Sequence, residues 1–310
     1  MNASFIIVTR DRAEDLRMTL EAMSGIHIPA GFKVEMLVID NGSSDHTSDV
    51  VRSCEIPGVP VRYILEKRPG LSNGRNRGLA EAEGEILLFT DDDVRPPAGW
   101  LEGMCEPILS GNADAVAGGV RIAPNLLRPW MSSMHRSWLA SSEWLECGTP
   151  QAMVGANMVF SKRVLEKVPG FDPELGAGAL GSGEESLFSA QLIAAGYRIA
   201  DRMDLCMEHH FQVSRLKRSS WLDAAEKLGI SHAYRGHHWE HWGCRFGALK
   251  QLIASTKVAA WRATHPSEIL EEGCSDQELN LIYHHAMIRG HLKVSKQPRK
   301  YAKHGLVKKS

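Results

Sequence analysis

The chain has 310 residues, of which 36 are basic and 37 acidic, so its overall charge indicates no polyanionic partner, and we expect no binding to nucleic acid. Its length allows one large domain with an appendage. The first residues lead directly into an apolar strand without a basic leader, and no stretch approaches the roughly 18 apolar residues of a membrane span. Six cysteines without paired spacing are typical of reduced thiols and argue against a disulfide framework or a zinc site. We therefore expect a cytoplasmic protein.

The first part of the chain predicts a β-α-β unit. An apolar run at 5–8 predicts a buried strand, apolar residues at helical spacing predict a helix near 12–24, and a second strand is expected over 34–39. Asp40 follows that second strand. Its carboxylate can accept hydrogen bonds from a nucleotide base or ribose, or close an Asx-turn before the next helix, and the residues leave both interpretations open. The absence of a G-x-G-x-x-G turn argues against a dinucleotide site of the dehydrogenase type.

A glycine-rich segment at 70–78 follows a third predicted strand, 61–65, and enters a helix. Ser72 is a candidate N-cap for that helix. Free backbone N–H groups at a helix start, together with Arg75 and Arg77, form a candidate phosphate site, and solvent-exposed arginines are the alternative.

Three consecutive acids follow the most apolar strand of the chain. Residues 86–90 are apolar or β-branched without alternation, which is typical of a strand buried on both faces of a parallel sheet. Asp91, Asp92 and Asp93 then stand at its C-terminal end, the edge at which open α/β sheets bind ligands. Their hard oxygens favour a divalent metal held against an anionic ligand, and a solvated acidic turn is the alternative.

The middle of the chain predicts a helix over 100–109 and further strands over 113–120 and 154–160. The segment 122–150 between them holds three tryptophans among small and polar residues and has no clear period. Aromatic side chains beside a site can bind an acceptor, although most tryptophans are core residues.

A second glycine-rich loop, 176–183, leads to Glu184 and Glu185 at the start of a predicted helix. Loops of this composition are mobile enough to close over a substrate. Acids in a first helical turn also complement the helix dipole, so the pair has a structural alternative. Alternation over 205–211 predicts a strand on which His209 faces the apolar side, where a histidine is usually a core residue.

Beyond about residue 215 the strand patterns end. Helical spacing over 221–234, 246–264 and 277–292 predicts a helical appendage. The H-H-W-E-H run at 237–241 has no Cys or acid at ligand spacing around it, so we expect a surface loop rather than a metal site.

Residues 293–310 carry seven Lys or Arg side chains and no acid. This composition is typical of a flexible tail, and its charge suits contact with the inner face of an anionic membrane. The predicted organisation is a sheet-based domain over 1–214, a helical region over 215–292 and this basic tail.

The polar motifs follow one another in a defined order: a polar first-strand exit, Asp40, the 70–78 loop, the Asp triplet, G-A-N at 155–157, G-F-D at 170–172, G-E-E at 183–185 and a late His. In this order and spacing they resemble the family 2 nucleotide-sugar glycosyltransferases of the GT-A fold, over roughly residues 4–211. The resemblance implies an α/β, Rossmann-like and mostly parallel sheet flanked by helices. It also implies an inverting transferase that moves a sugar from a nucleotide-diphosphate sugar to an acceptor hydroxyl in polysaccharide, glycan or glycolipid assembly, with Mn²⁺ or Mg²⁺.

The resemblance also implies roles for particular residues. Asp93, Asp91 and a late histidine, His209 or its neighbour His210, would hold the metal. Glu184 and Glu185 would form the acid pair, with Glu185 as the base. The residues implied at the nucleotide and donor sugar are Thr9, Arg10, Asp11, Asp40, Asn73, Arg75, Asn76, Asp91, Asp92, Gly155 and Asn157.

Two departures from the family pattern concern the base and the nucleotide. The usual E-D pair is Glu184-Glu185 here, and the first strand exits in T-R-D-R rather than P-T-Y-N-R. A sugar-1-phosphate nucleotidylyltransferase is one alternative function, but it is expected to have a glycine-rich loop after the first strand, and residues 9–14 contain no glycine. A non-catalytic sugar-nucleotide-binding relative is another, and the intact acids argue against it.

Overall fold

The structure, a computed structural model, describes residues 2–143, 152–243, 247–265 and 271–309. Within these ranges the strands form a single eight-stranded sheet. The strands are β1 (Ala3–Thr9), β2 (Val34–Asp40), β3 (Val61–Leu65), β4 (Ile86–Thr90), β5 (Val94–Arg95), β6 (Ala115–Ile122), β7 (Met158–Ser161) and β8 (Ile199–His209). The helices are α1 (Ala13–Met23), α2 (Thr47–Arg52), α3 (Leu71–Glu81), α4 (Trp100–Leu109), α5 (Ser133–Trp138), α6 (Glu184–Ala194), α7 (Arg218–His238), α8 (Gly247–Thr264) and α9 (Asp276–Val294).

The strand order is β3-β2-β1-β4-β7-β6-β8-β5. β1 pairs in parallel with β2 and β4, β2 with β3, and β6 with β8. β7 lies antiparallel between β4 and β6, and the short β5 is antiparallel to β8. The predicted α/β class with a mostly parallel central sheet is confirmed. All five residues of β4 are buried, as its unbroken apolar run predicts.

Helices cover both faces of the sheet. Alternate residues of β1 separate two cores, since Phe5 joins the cluster that contains Leu16 of α1 and Trp100 of α4, whereas Ile6 joins the cluster that contains Phe188 of α6. This arrangement explains why the central strands are mostly apolar on both faces, and it leaves their carboxyl ends as the polar edge of the domain.

The C-terminal helices form a separate layer. α7 packs along α9, and α8 packs on α9. Trp221 of α7 and Phe211 share a third core cluster with Trp130 and Trp138 of the 122–150 segment, so these two tryptophans are packed in the protein, while Trp144 lies outside the described residues. In the described chain we find no helix that combines the length and the apolar character needed to cross a bilayer.

The strand predicted over 154–160 is shorter in the structure. Val154 and Asn157 form an isolated bridge across a tight turn, and β7 begins only at Met158. The predicted helix over 246–264 begins at Gly247, and Phe246 lies outside the described residues.

The H-H-W-E-H run is not the surface loop that its polarity suggested. His237 and His238 form the last turn of α7 and are buried. The residues that cover them belong to the C-terminal segment, which we define as residues 295–309. His237 Nε2 donates to the Gln297 carbonyl at 3.0 Å, and Trp239 Nε1 donates to the Gly305 carbonyl at 2.9 Å.

The C-terminal segment also differs from the flexible tail that its charge predicted. Tyr301 is 3% exposed, and its hydroxyl donates to Asp172 at 2.8 Å. Lys308 donates to the other oxygen of Asp172 at 2.6 Å, and Lys300 forms an ion pair with Glu174. Acids on the loop before α6 therefore pair with two of the cations that the sequence analysis assigned to a membrane.

Candidate active site

The C-terminal ends of three strands, β1, β2 and β4, lie at one edge of the sheet. Thr9 of β1 is in register with Asp40 of β2, and β4 on the other side of β1 delivers the Asp triplet. Parallel pairing requires this convergence, because neighbouring parallel strands end at the same edge. The polar residues that the sequence separates by more than 80 positions therefore lie side by side.

Asp92 is a buried anchor of this edge. It accepts hydrogen bonds from Thr9 Oγ1 at 2.7 Å and from Arg12 Nη1 at 2.7 Å. Burial raises the pKa of Asp92 to about 7, although the charge of Arg12 acts in the opposite direction. Its side chain faces the protein, so Asp92 supports the site rather than presenting a carboxylate to a ligand.

Arg12 is a site residue that the sequence analysis missed. Its guanidinium bridges Asp92 and Asp93, with Nη2 at 2.6 Å from Asp93 Oδ2. Burial alone would lower the Arg12 pKa, but the two carboxylates outweigh burial and raise it. The only sequence signal for this role is the position of Arg12 just after β1, beside the strand that ends in the triplet.

Asp93 faces His209. The Nε2 atom of His209 lies 3.3 Å from Asp93 Oδ2, while Nδ1 donates to the Leu139 carbonyl at 2.9 Å. Burial raises the pKa of Asp93, but the hydrogen bond and charge of His209 together with Arg12 outweigh burial and hold the pKa well below its ordinary value. His210, the alternative late histidine, pairs with Glu208 instead, at 2.8 Å.

The triplet fits a divalent cation in its donor chemistry. Asp93 Oδ1 is buried and has no hydrogen-bond partner. The Nε2 atom of His209 lies 3.3 Å from the other oxygen of the same carboxylate, and an imidazole nitrogen is a common metal ligand. The side chain of Asp91 is 34% exposed and supplies a further oxygen. In the ranges that the structure describes, no group of three or more His, Cys, Asp and Glu side chains has the geometry of a metal site.

Arg75 joins the triplet to the acid pair. It is buried, and Nη1 donates to Glu184 Oε1 at 2.7 Å. The same guanidinium lies 3.7 Å from Asp91 and 3.9 Å from Glu185. A Cβ atom on Gly155 would lie 2.0 Å from Arg75 Nη2, so only glycine leaves room for this side chain. The role that the structure gives Gly155 is to admit Arg75.

Glu184 and Glu185 have different environments at the start of α6. Glu184 is buried against Arg75, with its side chain 4% exposed, whereas the side chain of Glu185 is 25% exposed. Burial and the neighbouring charge of Glu184 raise the pKa of Glu185 to about 8, against the effect of Arg75. Glu184 is therefore fixed, and Glu185 is the more accessible carboxylate.

Asp40 is buried, and both its oxygens have partners. Oδ1 accepts from the Ser43 N–H at 2.8 Å, which is the Asx-turn alternative, and Oδ2 accepts from the Tyr63 hydroxyl at 2.7 Å. Asp11 has a φ of 52° and accepts from the Ser44 N–H at 2.7 Å, which links the exits of β1 and β2. Arg10 is exposed beside it.

Two amides predicted to contact the donor are hydrogen-bonded within the protein. Asn157 is fully buried, and its amide bonds Trp100 Nε1 and the carbonyls of Gly119 and Leu205, each at 2.8 Å. Asn76 bonds both backbone groups of Phe171 at 2.8 Å. These amides connect elements of the fold, and their hydrogen-bonding groups are already used.

The start of α3 is covered by protein, unlike the open phosphate site that the sequence predicted. Gly70, not Ser72, is the N-cap residue, and Ser72 is buried and donates to the Leu175 carbonyl at 2.8 Å. The Leu71 N–H donates to the Ala177 carbonyl at 2.8 Å, and Asn73 donates to the Pro69 carbonyl at 2.8 Å. The start of α3 is thus occupied by the glycine-rich loop that carries the acid pair.

A further cation approaches the triplet from the chain after β8. The guanidinium of Arg215 lies over the Phe211 ring at 5.5 Å, and its charge acts on Asp93 and Asp91. No periodicity or motif in the sequence indicates this residue, because its proximity to the triplet depends on the turn of the chain after His209.

The fold and these acids define the class of the protein. Over 95% of this chain, the structure superposes on the mannosyltransferase PcManGT from Pyrobaculum calidifontis in complex with GDP-Man and Mn²⁺, with a TM-score of 0.60, 21% identity and 87% of that chain covered. It also superposes on S. aureus TarS residues 1–349 in complex with UDP-GlcNAc, with a TM-score of 0.51, 16% identity and coverage of 97% and 93%. The fold is the GT-A fold, as predicted.

The profile of Glycosyl transferase family 2 matches residues 4–168, and the chain belongs to this family. The resemblance seen in the motifs is thereby confirmed. A curated relative, the glycosyltransferase AglE of Haloferax volcanii, is 33% identical over 124 residues, which are 39% of this chain and 40% of AglE. The match therefore spans less than half the length of that relative.

Proposed function

We propose that the protein is an inverting, metal-dependent glycosyltransferase that moves a sugar from a nucleotide-diphosphate sugar to an acceptor hydroxyl in glycan assembly. One observation carries the proposal. Arg75 lies 3.7 Å from Asp91 and 3.9 Å from Glu185, so the acids suited to the diphosphate end and to the base lie around one guanidinium. The family membership and the donor complexes of the two structural neighbours support the same reaction.

The proposed roles follow from the carboxyl groups that the protein leaves exposed, as at Asp91, or with an oxygen that lacks a partner, as at Asp93. Asp91, Asp93 and His209 would hold a divalent cation, Mn²⁺ or Mg²⁺. Such a cation neutralises the charge that develops on a diphosphate leaving group. The Mn²⁺ named for the Pyrobaculum structure supports this assignment. Thr9 and Arg12 hold the triplet in place by hydrogen bonds to Asp92 and Asp93.

Glu185 is the proposed general base. An acceptor hydroxyl has a pKa far above neutral, so its proton must be removed as the oxygen attacks the anomeric carbon. The proton passes to the Glu185 carboxylate, the new C–O bond forms, and the bond from that carbon to the diphosphate oxygen breaks. One displacement inverts the anomeric centre. Glu184, bound to Arg75 at 2.7 Å, positions the helix start that carries the base.

Nucleotide recognition is proposed at the exits of β1 and β2, where Arg10, Asp11 and Asp40 lie. We further propose a cytoplasmic location, which the unpaired spacing of the cysteines supports. The two neighbours named above carry different nucleotides, GDP and UDP. The identity of the nucleotide base is therefore determined by experiment.

The test is a thermal-shift panel of UDP-, GDP- and dTDP-sugars with Mn²⁺, followed by turnover measurements. A donor that binds only the folded state raises the unfolding temperature, by an amount equivalent to about 2.7 kcal/mol at a hundredfold excess over Kd. We expect one nucleotide series to stabilise the protein more with Mn²⁺ than with EDTA. Stabilisation without release of nucleoside diphosphate in any acceptor mixture would favour the non-catalytic relative, and no stabilisation by any donor would contradict the proposal.

A further inference from the structure

Helix α8 presents large apolar side chains to solvent. Leu249, Leu252 and Ile253 are 56%, 62% and 45% exposed, and Gly247 alone is buried among the described residues of this helix. At 3.6 residues per turn, Thr256 and Ala260 continue the same exposed face. We define the α8 stripe as Leu249, Leu252, Ile253, Thr256 and Ala260.

The opposite face attaches α8 to the protein, and it is partly polar. Gln251 and Ser255 both bond the His285 ring of α9, at 2.8 Å and 3.1 Å, and Val258 packs against the core cluster of the C-terminal helices. An ordinary surface helix turns its apolar face to the core and its polar face to water. In α8 the three largest aliphatic residues, Leu249, Leu252 and Ile253, face outward, so the stripe is free to contact a partner other than the rest of the described chain.

The charges around the stripe indicate the chemistry of that partner. Lys250 and Lys257 are exposed at its border, Arg262 is exposed near the C-terminal end, and the helix contains no acid. A convex apolar row with cations beside it is the pattern of a helix that lies in a membrane interface. Two copies of this face packed together would bring lysines of equal charge into proximity, which disfavours self-association.

We propose that the α8 stripe inserts into the interface of a membrane that contains anionic lipid, with Lys250 and Lys257 at the headgroups. This inference goes beyond the proposed sugar transfer and does not depend on it, because binding to vesicles is measured without donor or acceptor. It also assigns membrane contact to α8, whereas the cations of the C-terminal segment include two, Lys300 and Lys308, that are engaged with Glu174 and Asp172.

The test is co-sedimentation of the full chain with vesicles of phosphatidylcholine alone or mixed with phosphatidylglycerol. We expect binding to the mixed vesicles only. Leu252→Ser combined with Ile253→Ser should lower the partition coefficient by about tenfold or more, because the inserted apolar area is lost. Lys250→Gln and Lys257→Gln should each lower it about fivefold, which corresponds to about 1 kcal/mol per cation.

Matched controls come from exposed residues elsewhere. Ile193→Ser on α6, where Ile193 is 53% exposed, and Lys303→Gln in the C-terminal segment should leave the partition unchanged. Circular dichroism should be the same for all variants, since the substituted side chains are exposed. The proposal is overturned if the wild type does not bind anionic vesicles, or if the stripe and lysine variants bind them as strongly as the wild type. It is also overturned if Lys303→Gln lowers the partition coefficient more than the lysine substitutions in α8. A concentration-dependent dimer that Leu252→Ser with Ile253→Ser dissociates would identify a second copy as the occupant and equally overturn it.

Discussion

At the scale of single residues, two arginines form hydrogen bonds with three acids of the candidate active site. Arg12 is hydrogen-bonded to Asp92 and Asp93, and Arg75 is hydrogen-bonded to Glu184. Asp91 and Glu185 are left beyond hydrogen-bond distance of a guanidinium, and their side chains are 34% and 25% exposed. These two acids are therefore the ones whose carboxyl groups are accessible to a ligand.

The acid pair gives the sharpest prediction at this scale. Glu185→Gln keeps the shape of the side chain and removes its basicity, so we expect turnover to fall by about 10² to 10⁴ with donor affinity nearly unchanged. Glu184→Gln instead leaves the buried Arg75 without its charged partner, and we expect a loss of about 3 kcal/mol in the free energy of unfolding and weaker donor binding. Steady-state kinetics, donor titration and urea unfolding separate these effects. The reverse pattern would make Glu184 the base.

The raised pKa of Glu185 predicts the pH dependence of the reaction. Burial and the charge of Glu184 raise this pKa to about 8, so the carboxyl group is mostly neutral below that pH and ionised above it. A base must be ionised to accept a proton, and kcat/KM should rise with pH along a limb centred near 8. The pH profile of the wild type checks the limb, and the profile of Glu185→Gln should lack it. A limb of equal midpoint in both proteins would assign it to another group.

A substitution at Asp93 tests the proposed metal site. Because Asp93 is buried and binds Arg12 and His209, removing it with alanine would also disturb the fold, so Asp93→Asn is the better variant. We expect Asp93→Asn to lose the increase in donor affinity that Mn²⁺ gives, measured by calorimetry with and without EDTA. Asp204→Asn, at an acid whose side chain is 57% exposed, is the control and should behave as the wild type. Retention of the Mn²⁺ effect in Asp93→Asn would contradict the assignment.

At the scale of elements, the loop between Asp172 and α6 is fixed at both ends. Its C-terminal end carries Glu184, which is bound to Arg75. At its N-terminal end, Asp172 is enclosed and accepts hydrogen bonds from Tyr234 of α7 and from Tyr301 and Lys308 of the C-terminal segment. The glycine content suggested a loop free to close over a substrate, but the structure shows contacts that hold this loop in place.

The enclosed carboxylate predicts a stability effect with a defined sign. Burial raises the pKa of Asp172, but Lys308 and the other donors outweigh burial and lower it below its value in the unfolded chain. The stabilisation is therefore present above about pH 4 and is lost as the pH falls through the lower folded-state pKa. Asp172→Asn should lower the free energy of unfolding by about 3 kcal/mol at pH 7, because Tyr234, Tyr301 and Lys308 lose the buried charge to which they donate, although Lys308 keeps Glu174 at 2.8 Å.

Urea unfolding of Asp172→Asn at neutral and acidic pH measures this effect. The difference from the wild type should shrink at low pH, where the wild-type carboxylate is itself protonated. Glu174→Gln is the matched control, since its side chain is 41% exposed and the loss of its ion pairs should cost at most about 1 kcal/mol. Equal losses in the two variants, or a loss independent of pH, would count against the pairing.

At the scale of the whole molecule, the C-terminal segment joins three parts of the protein. It covers the histidines at the end of α7, it pairs with Asp172 before α6, and its carbonyls at Gly305 and Leu306 accept hydrogen bonds from Gln191 within α6. A basic sequence of this kind suggests a free tail, yet two of its cations, Lys300 and Lys308, and its aromatic residue Tyr301 contact partners that are far away in sequence.

Removal of this segment should therefore affect the whole protein. A chain that ends at Val294 leaves His237, His238 and Asp172 uncovered, and we expect a lower unfolding temperature and a lower turnover number even with a water-soluble acceptor. Differential scanning calorimetry and turnover with that acceptor measure both effects. Lys303→Ala, at an exposed residue of the same segment, is the control and should change neither. Unaltered stability of the truncated chain would show that the segment is dispensable.

The sequence by itself determined the sheet class and the location of the acids. The unbroken apolar run at 86–90 predicts a strand buried on both faces, and the chain can place the following triplet only at that strand's end. The family motifs also predicted the GT-A fold. Each motif is formed by residues that are close in sequence, so it can be recognised without the tertiary structure. The start of α6 at Glu184 was also predicted, because the glycines before it end any regular structure.

Only the tertiary structure decided which acids are neutralised and which are accessible. Arg12 meets Asp92 across about 80 residues and Arg75 meets Glu184 across 109, and neither distance leaves a local pattern in the sequence. Similarly, Asn157 and Asn76 resembled ligand contacts by motif, but packing buries Asn157, and the amide of Asn76 is bonded to the backbone of Phe171. The outward stripe of α8 has the same helical period as an inward one. Periodicity records that a face is apolar, and the packing of the remaining chain determines whether that face is covered.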